Sequence, residues 1–192
     1  MNYTSKEEQR YGRNKGTAIN RAYINSGEYR KKFDKISDNK KLNKLLYQLA
    51  KAMLEHRSGT LYEDMYWIDA ETATIVAKEI EGKKEREIVY SESTMEKVKK
   101  NRGLVTIHTH PSSFLPSYED LMSNYVHGYS LGIVCGHNGK VYVYTANEAF
   151  LEEQYNCIVG RAFRRFKNEE TAIVYVLGEL QRQFNVIVKE VK

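Results

Sequence analysis

Both prolines of this 192-residue chain, Pro111 and Pro116, fall within six residues of each other, directly behind His108-Thr109-His110. Proline fixes φ and has no N–H to give, so neither a helix nor a central strand runs through this stretch and the chain must turn. Ahead of the turn, Leu104-Val105-Thr106-Ile107 is a compact apolar run that reads as a buried strand ending in the two histidines. Behind it, a helix should start at Ser117 and stop at Gly128. Strand, sharp turn and helix therefore follow one another within some 25 residues.

The rest of the chain alternates in the same way. Leu42, Leu45, Leu46, Leu49 and Met53 recur at helical spacing, which predicts an amphipathic helix over residues 40 to 56, ended near Gly59. Tyr62 to Ala70 and Thr74 to Ile80 are rich in aromatic and β-branched residues and read as a hairpin. Ser93-Thr94-Met95-Glu96 has the form of a capping box and should open a short helix that stops at Gly103. Leu131 to Cys135 and Val141 to Thr145 flank Asn138-Gly139, a strong hairpin turn. The tail reads as one helix from about Ala146 to Phe166, a second capped by Asn168 and running to about Gln183, and a last strand, Asn185 to Val191. This order predicts a mixed α/β domain of the α+β class: a central, mainly antiparallel sheet with flanking helices.

Charge divides the chain at about residue 40. Residues 1 to 40 hold ten Lys/Arg against five Asp/Glu, which accounts for the whole net charge of +5. Arg10, Arg13, Lys15, Arg21, Arg30, Lys31 and Lys32 alternate there with Tyr3, Tyr11, Tyr23 and Tyr29, so residues 1–40 read as a basic N-terminal arm or extension and 41–192 as the main domain. Such an arm suits nucleic acid or an acidic protein surface, although a solvated basic helix explains the same charge. No apolar run approaches the roughly 20 residues that cross a bilayer, and the first ten residues have no apolar signal core, so a cytoplasmic, membrane-free protein is expected. Cys135 and Cys157 form no C-x-x-C pair, and each apolar context suits a reduced, buried, structural thiol.

The histidines carry the chemistry. Side chains at i and i+2 of an extended chain leave the same face, so one cation can reach both His108 and His110. A catalytic zinc takes three protein ligands and keeps a fourth position open, which calls for a carboxylate from a neighbouring element. Asp120, in the first turn of the helix that follows the Pro111 to Pro116 turn, is placed to supply it. Ser117 and Asp120 are equally the residues of a helix N-cap, and the two roles do not exclude each other. Trp67 and the many tyrosines read as core or rim rather than a binding platform, His56 and His127 as surface or packing residues, and His137 as a turn residue.

Ile107-His108-Thr109-His110-Pro111 followed by Ser117-x-x-Asp120 resembles the motif of the JAMM (MPN/JAB-like) zinc metallopeptidases, bacterial or phage type, with six residues between His110 and Ser117 where that pattern has seven. The element order of residues 40 to 146 is also similar to an MPN domain. The resemblance implies zinc on His108, His110 and Asp120, a hydrolase that cleaves a peptide or isopeptide bond with activated water, and an oxyanion donor at Ser117. It also implies a general-base Glu some forty to fifty residues before the histidines. Glu63 fits, 45 residues upstream at the start of a predicted strand; Glu55 is the rival, 53 residues upstream on the helix, and Glu71 and Glu79 fit less well. The implied partner is a peptide or protein substrate, including ubiquitin-like modifiers. Two other functions share the pattern: a relative of the DNA-repair-associated RadC group using the basic arm, and a phage- or toxin-associated binding module on the same fold.

Overall fold

The computed structural model describes residues 14–112 and 114–192. Among them, seven helices surround one six-stranded sheet of order β2-β1-β3-β4-β5-β6. The strands are β1 (Met65–Asp69), β2 (Thr74–Glu79), β3 (Val105–His110), β4 (Leu131–Gly136), β5 (Val141–Ala146) and β6 (Val186–Glu190). The helices are α1 (Arg21–Ile24), α2 (Gly27–Lys31), α3 (Lys40–Arg57), α4 (Glu92–Lys100), α5 (Tyr118–His127), α6 (Glu152–Arg165) and α7 (Glu169–Phe184). Every strand pairing is antiparallel except β3 with β4, so the expected mixed α+β class with a mainly antiparallel sheet is what the chain forms.

That one parallel pairing positions the site. Parallel neighbours cannot be joined by a tight turn and need a crossover of a dozen or more residues. Here the crossover is the loop through both prolines plus α5. It brings the N-terminus of α5 back over the carboxyl end of β3, where crevices of open sheets form.

Side-chain alternation sorts the sheet into two faces. Ile107, Ile133, Cys135 and Val141 share a core with Leu42, Leu46, Ala50 and Met53 of α3. Val134, Tyr142, Tyr144 and Val186 face the other way and pack with Leu121 of α5 and with Tyr155, Ile158, Val176 and Leu180 of α6 and α7. His108 and His110 alternate with Ile107, so they lie on this second face.

The first core also takes in Ile24, Tyr29 and Phe33, each fully buried. Burying one such side chain contributes about 1.5–3 kcal/mol. The described part of the basic segment, from residue 14, is thus an extension in sequence but part of the core in packing. Arg10, Arg13, Tyr3 and Tyr11 lie outside the described residues.

Several boundaries move for local reasons. The Asn138-Gly139 turn forms as expected, with Gly139 at φ +84° and its N–H on the Gly136 carbonyl. The short helix is capped by Ser91, whose side chain accepts from the Thr94 N–H, rather than by Ser93, and it ends at Lys100, before Gly103. The helix expected from Ala146 starts only at Glu152. Cys135 is buried, and its thiol is pushed up to about 12 by that burial; Cys157 is exposed on α6, against the expectation of a second buried thiol. Trp67 is fully buried, as expected.

Candidate metal centre

Ser117 caps α5: its Oγ accepts the Asp120 N–H at 3.1 Å, and its own N–H donates to Asp120 Oδ2 at 2.7 Å. This reciprocal pair fixes the Asp120 side chain on the inner side of the first turn. From there Oδ1 stands 3.1 Å from His108 Nε2, and Oδ2 stands 3.1 Å from His110 Nε2. The two Nε2 atoms are themselves 3.1 Å apart. The expected capping role and the convergence on the histidines therefore coexist.

The triangle has the size a metal demands. Donors about 2.0–2.1 Å from a tetrahedral zinc sit about 3.3 Å from one another. Ligand-type atoms of all three residues lie within 4.8 Å of each other, and the group could hold a metal ion. With both Nε2 atoms unprotonated, their lone pairs and the carboxylate repel one another unless a cation sits among them; with a proton on Nε2, each ring donates to Asp120 instead.

Surrounding contacts set the protonation of the ring nitrogens. His110 Nδ1–H donates to the Phe114 carbonyl at 3.4 Å, which leaves the Nε2 lone pair for the triangle. His108 Nδ1 is buried without a hydrogen-bond partner among the described residues. Burial alone would lower the His110 pKa, but the Asp120 carboxylate, aided by Glu63, raises it to about 9. Burial would likewise raise Asp120, and the two imidazoles instead hold it well below the usual carboxylate range. A proton and a divalent cation compete for the same place.

Glu63 and Ser117 line one cleft of about 770 Å³ together with His110 and Asp120. Glu63 is half-buried, and desolvation is the main reason its carboxyl is raised above the usual range, against the pull of His110 and His108. Glu55 instead accepts from the Asn25 side chain at 3.3 Å on the α3 surface, away from this cleft. Phe114, Leu115, Tyr118 and Tyr155 form an apolar wall; Tyr155 Oη donates to the Pro116 carbonyl at 2.9 Å and steadies the turn. The opposite wall is the segment from Glu85 to Tyr90, held by the Arg86 N–H on the Leu61 carbonyl at 2.8 Å.

Three features were not foreseen. Asp64 is buried and bridges Arg57 Nε at 2.6 Å and His56 Nδ1 at 2.7 Å, so His56 is a partner of a buried acid rather than a plain surface residue. Only the adjacency of Glu63 and Asp64 at a strand start hinted that two acids would face opposite sides. His137 is buried in its turn, where Nδ1–H donates to the Thr17 carbonyl at 2.6 Å and ties the N-terminal segment to the β4–β5 hairpin. Among the described residues, Glu85, Glu87, Glu119 and Glu152 give the cleft an acidic lining, with Arg86 as its one Lys or Arg.

No family model matches this chain, and no curated protein and no solved structure matches it either.

Proposed function

We propose that this chain is a zinc-dependent hydrolase of the JAMM type that cleaves a peptide or isopeptide bond. The observation that carries the proposal is the triangle of His108 Nε2, His110 Nε2 and Asp120 carboxylate with 3.1 Å edges, opening on a cleft that also holds an acid and a hydroxyl. Two imidazoles, one carboxylate and no thiolate form the donor set of a catalytic rather than a structural zinc. Zinc, when bound there, would acidify water and polarise the scissile carbonyl.

The chain's own residues supply the remainder. Glu63 takes the proton of the attacking water and delivers it to the leaving amine; desolvation raises its pKa, the direction that makes a carboxylate a stronger base. The Ser117 capping bond uses an oxygen lone pair, so its O–H proton is left to donate to the oxyanion of the tetrahedral intermediate. Phe114, Tyr118 and Tyr155 hold an apolar side chain and exclude water from the reacting bond. Among the described residues, five Glu side chains and Asp120 against one Arg in the lining favour a peptide stretch that carries Lys or Arg.

The test is a cleavage assay on peptides with and without basic residues flanking the scissile bond, run on zinc-loaded protein and on Glu63→Gln. Zinc-dependent cleavage that Glu63→Gln abolishes supports the reading. Stoichiometric zinc with no turnover on any amide would return the fold to the class of binding modules.

A further inference from the structure

We propose that Thr109, the residue between the two histidines, is a positioning residue that holds the Glu63–Asp64 peptide unit in place beneath the metal centre. The inference rests on the hydrolase reading for the role of Glu63, but the geometry that carries it lies outside the triangle.

Alternation along β3 sends His108 and His110 to one face and Thr109 to the other, where it is fully buried. There it meets Asp64 twice. The Thr109 N–H donates to the Asp64 carbonyl at 3.1 Å, and the Asp64 N–H donates to Thr109 Oγ1, also at 3.1 Å. In a regular antiparallel pair the second bond would go to the backbone carbonyl of Thr109. Taking it on the side chain ends the β1–β3 ladder at Met65, so the chain ahead of it leaves the sheet. For the same reason β1 starts three residues later than the composition of Tyr62 to Ala70 suggests.

The N–H in question belongs to the peptide bond that joins Glu63 to Asp64. Fixing that peptide plane fixes the position of the Glu63 Cα and of its Cα–C bond, the point from which the Glu63 side chain starts. Asp64 is tethered at its other end, since its carboxylate lies between Arg57 Nε and His56 Nδ1 on the α3 face. Arg57 in turn donates through Nη2 to the Ile80 carbonyl. With Asp64 anchored on the α3 side, Glu63 lines the cleft on the side of the histidines, together with His110 and Asp120. A general base must stay within hydrogen-bond reach of the proton it moves, and a displacement of about 1 Å can cost on the order of 100-fold in rate.

Thr109→Val keeps the shape and the β-branching and removes the acceptor; Thr109→Ser keeps the acceptor. Zinc-loaded Thr109→Val should retain one zinc per chain and a KM within about twofold, with kcat down about 10- to 100-fold. Thr109→Ser should keep a kcat near wild type even if its Tm falls. A second readout needs no turnover. The ¹³Cδ resonance of Glu63, assigned by its loss in Glu63→Gln, should move on zinc loading in wild type and in Thr109→Ser, and should move by less than half as much in Thr109→Val. If Thr109→Val does not fold, Thr109→Ala is read on the same two measurements. An unchanged kcat and an unchanged ¹³C response in the hydroxyl-free variant overturn the proposal, as does loss of zinc there, because the ligands and not Glu63 would then depend on Thr109. Zinc-loaded wild type without cleavage sinks the hydrolase reading alone, and the ¹³C comparison still decides Thr109. Wild type that takes up no zinc sinks both, and shows it before any variant is compared.

Discussion

The two faces of the sheet are built to different rules. The face under α3 is a continuous apolar layer, with Ile107, Ile133, Cys135 and Val141 against Leu42, Leu46, Ala50 and Met53. The face under α5 is interrupted: Val134, Tyr142 and Tyr144 continue its apolar packing, but His108, His110 and Asp120 occupy its carboxyl end. A volume-filling layer needs only residues of suitable size and shape. Buried imidazoles beside a carboxylate cost free energy unless something compensates them. The contrast is why we propose the α5 face for function and the α3 face, through Asp64, Arg57 and Thr109, as its anchor.

The comparison breaks most visibly at the triangle. His108→Ala combined with His110→Ala should abolish zinc uptake and lower peptide cleavage at least about 1,000-fold, as removal of the metal by a chelator should; far-UV circular dichroism should stay close to wild type. Glu63→Gln should leave zinc bound and lower kcat by about 100- to 10,000-fold, measured under saturating peptide. If Glu55→Gln produced that loss instead, the base would lie on α3 and the division between the faces would fail.

Smaller effects sharpen the anchoring side. Arg57→Met strands the Asp64 carboxylate, which burial already holds above the usual range despite His56 and Arg57. Removing one partner of a buried pair costs about 3–5 kcal/mol, which denaturant titration would show. Gly132→Ala probes the other face: a Cβ there would stand 2.1 Å from the Tyr144 ring carbon Cζ. Overpacking of that kind costs about 1–3 kcal/mol, seen as a lower Tm without loss of zinc.

How much of this could be read from the residues follows the range of the interactions. His-x-His on a strand end and Asp120 in the first turn of the next helix were legible, because alternation and helix geometry are local and the crossover follows from the strand and helix order. The two-residue turn at Asn138-Gly139 was legible for the same reason. Glu63 was singled out only through a resemblance, since 45 residues separate it from His108. The Arg57–Asp64 pair was not legible: nothing in either residue's neighbours shows that a helix end and a strand start will meet. Tyr29 and Phe33 sit among lysines and arginines, and local charge masked their burial against α3. Cys157 has apolar neighbours, yet α6 buries the stripe Tyr155, Ile158 and Ala162, and Cys157 falls outside it.

The most direct test is a crystal structure of zinc-soaked protein with anomalous differences measured on both sides of the zinc edge. A single peak about 2.0–2.2 Å from His108 Nε2, His110 Nε2 and one Asp120 oxygen is the predicted result. No peak at the triangle, or a zinc held elsewhere while Asp120 stays bonded only to the Ser117 N–H, would contradict it.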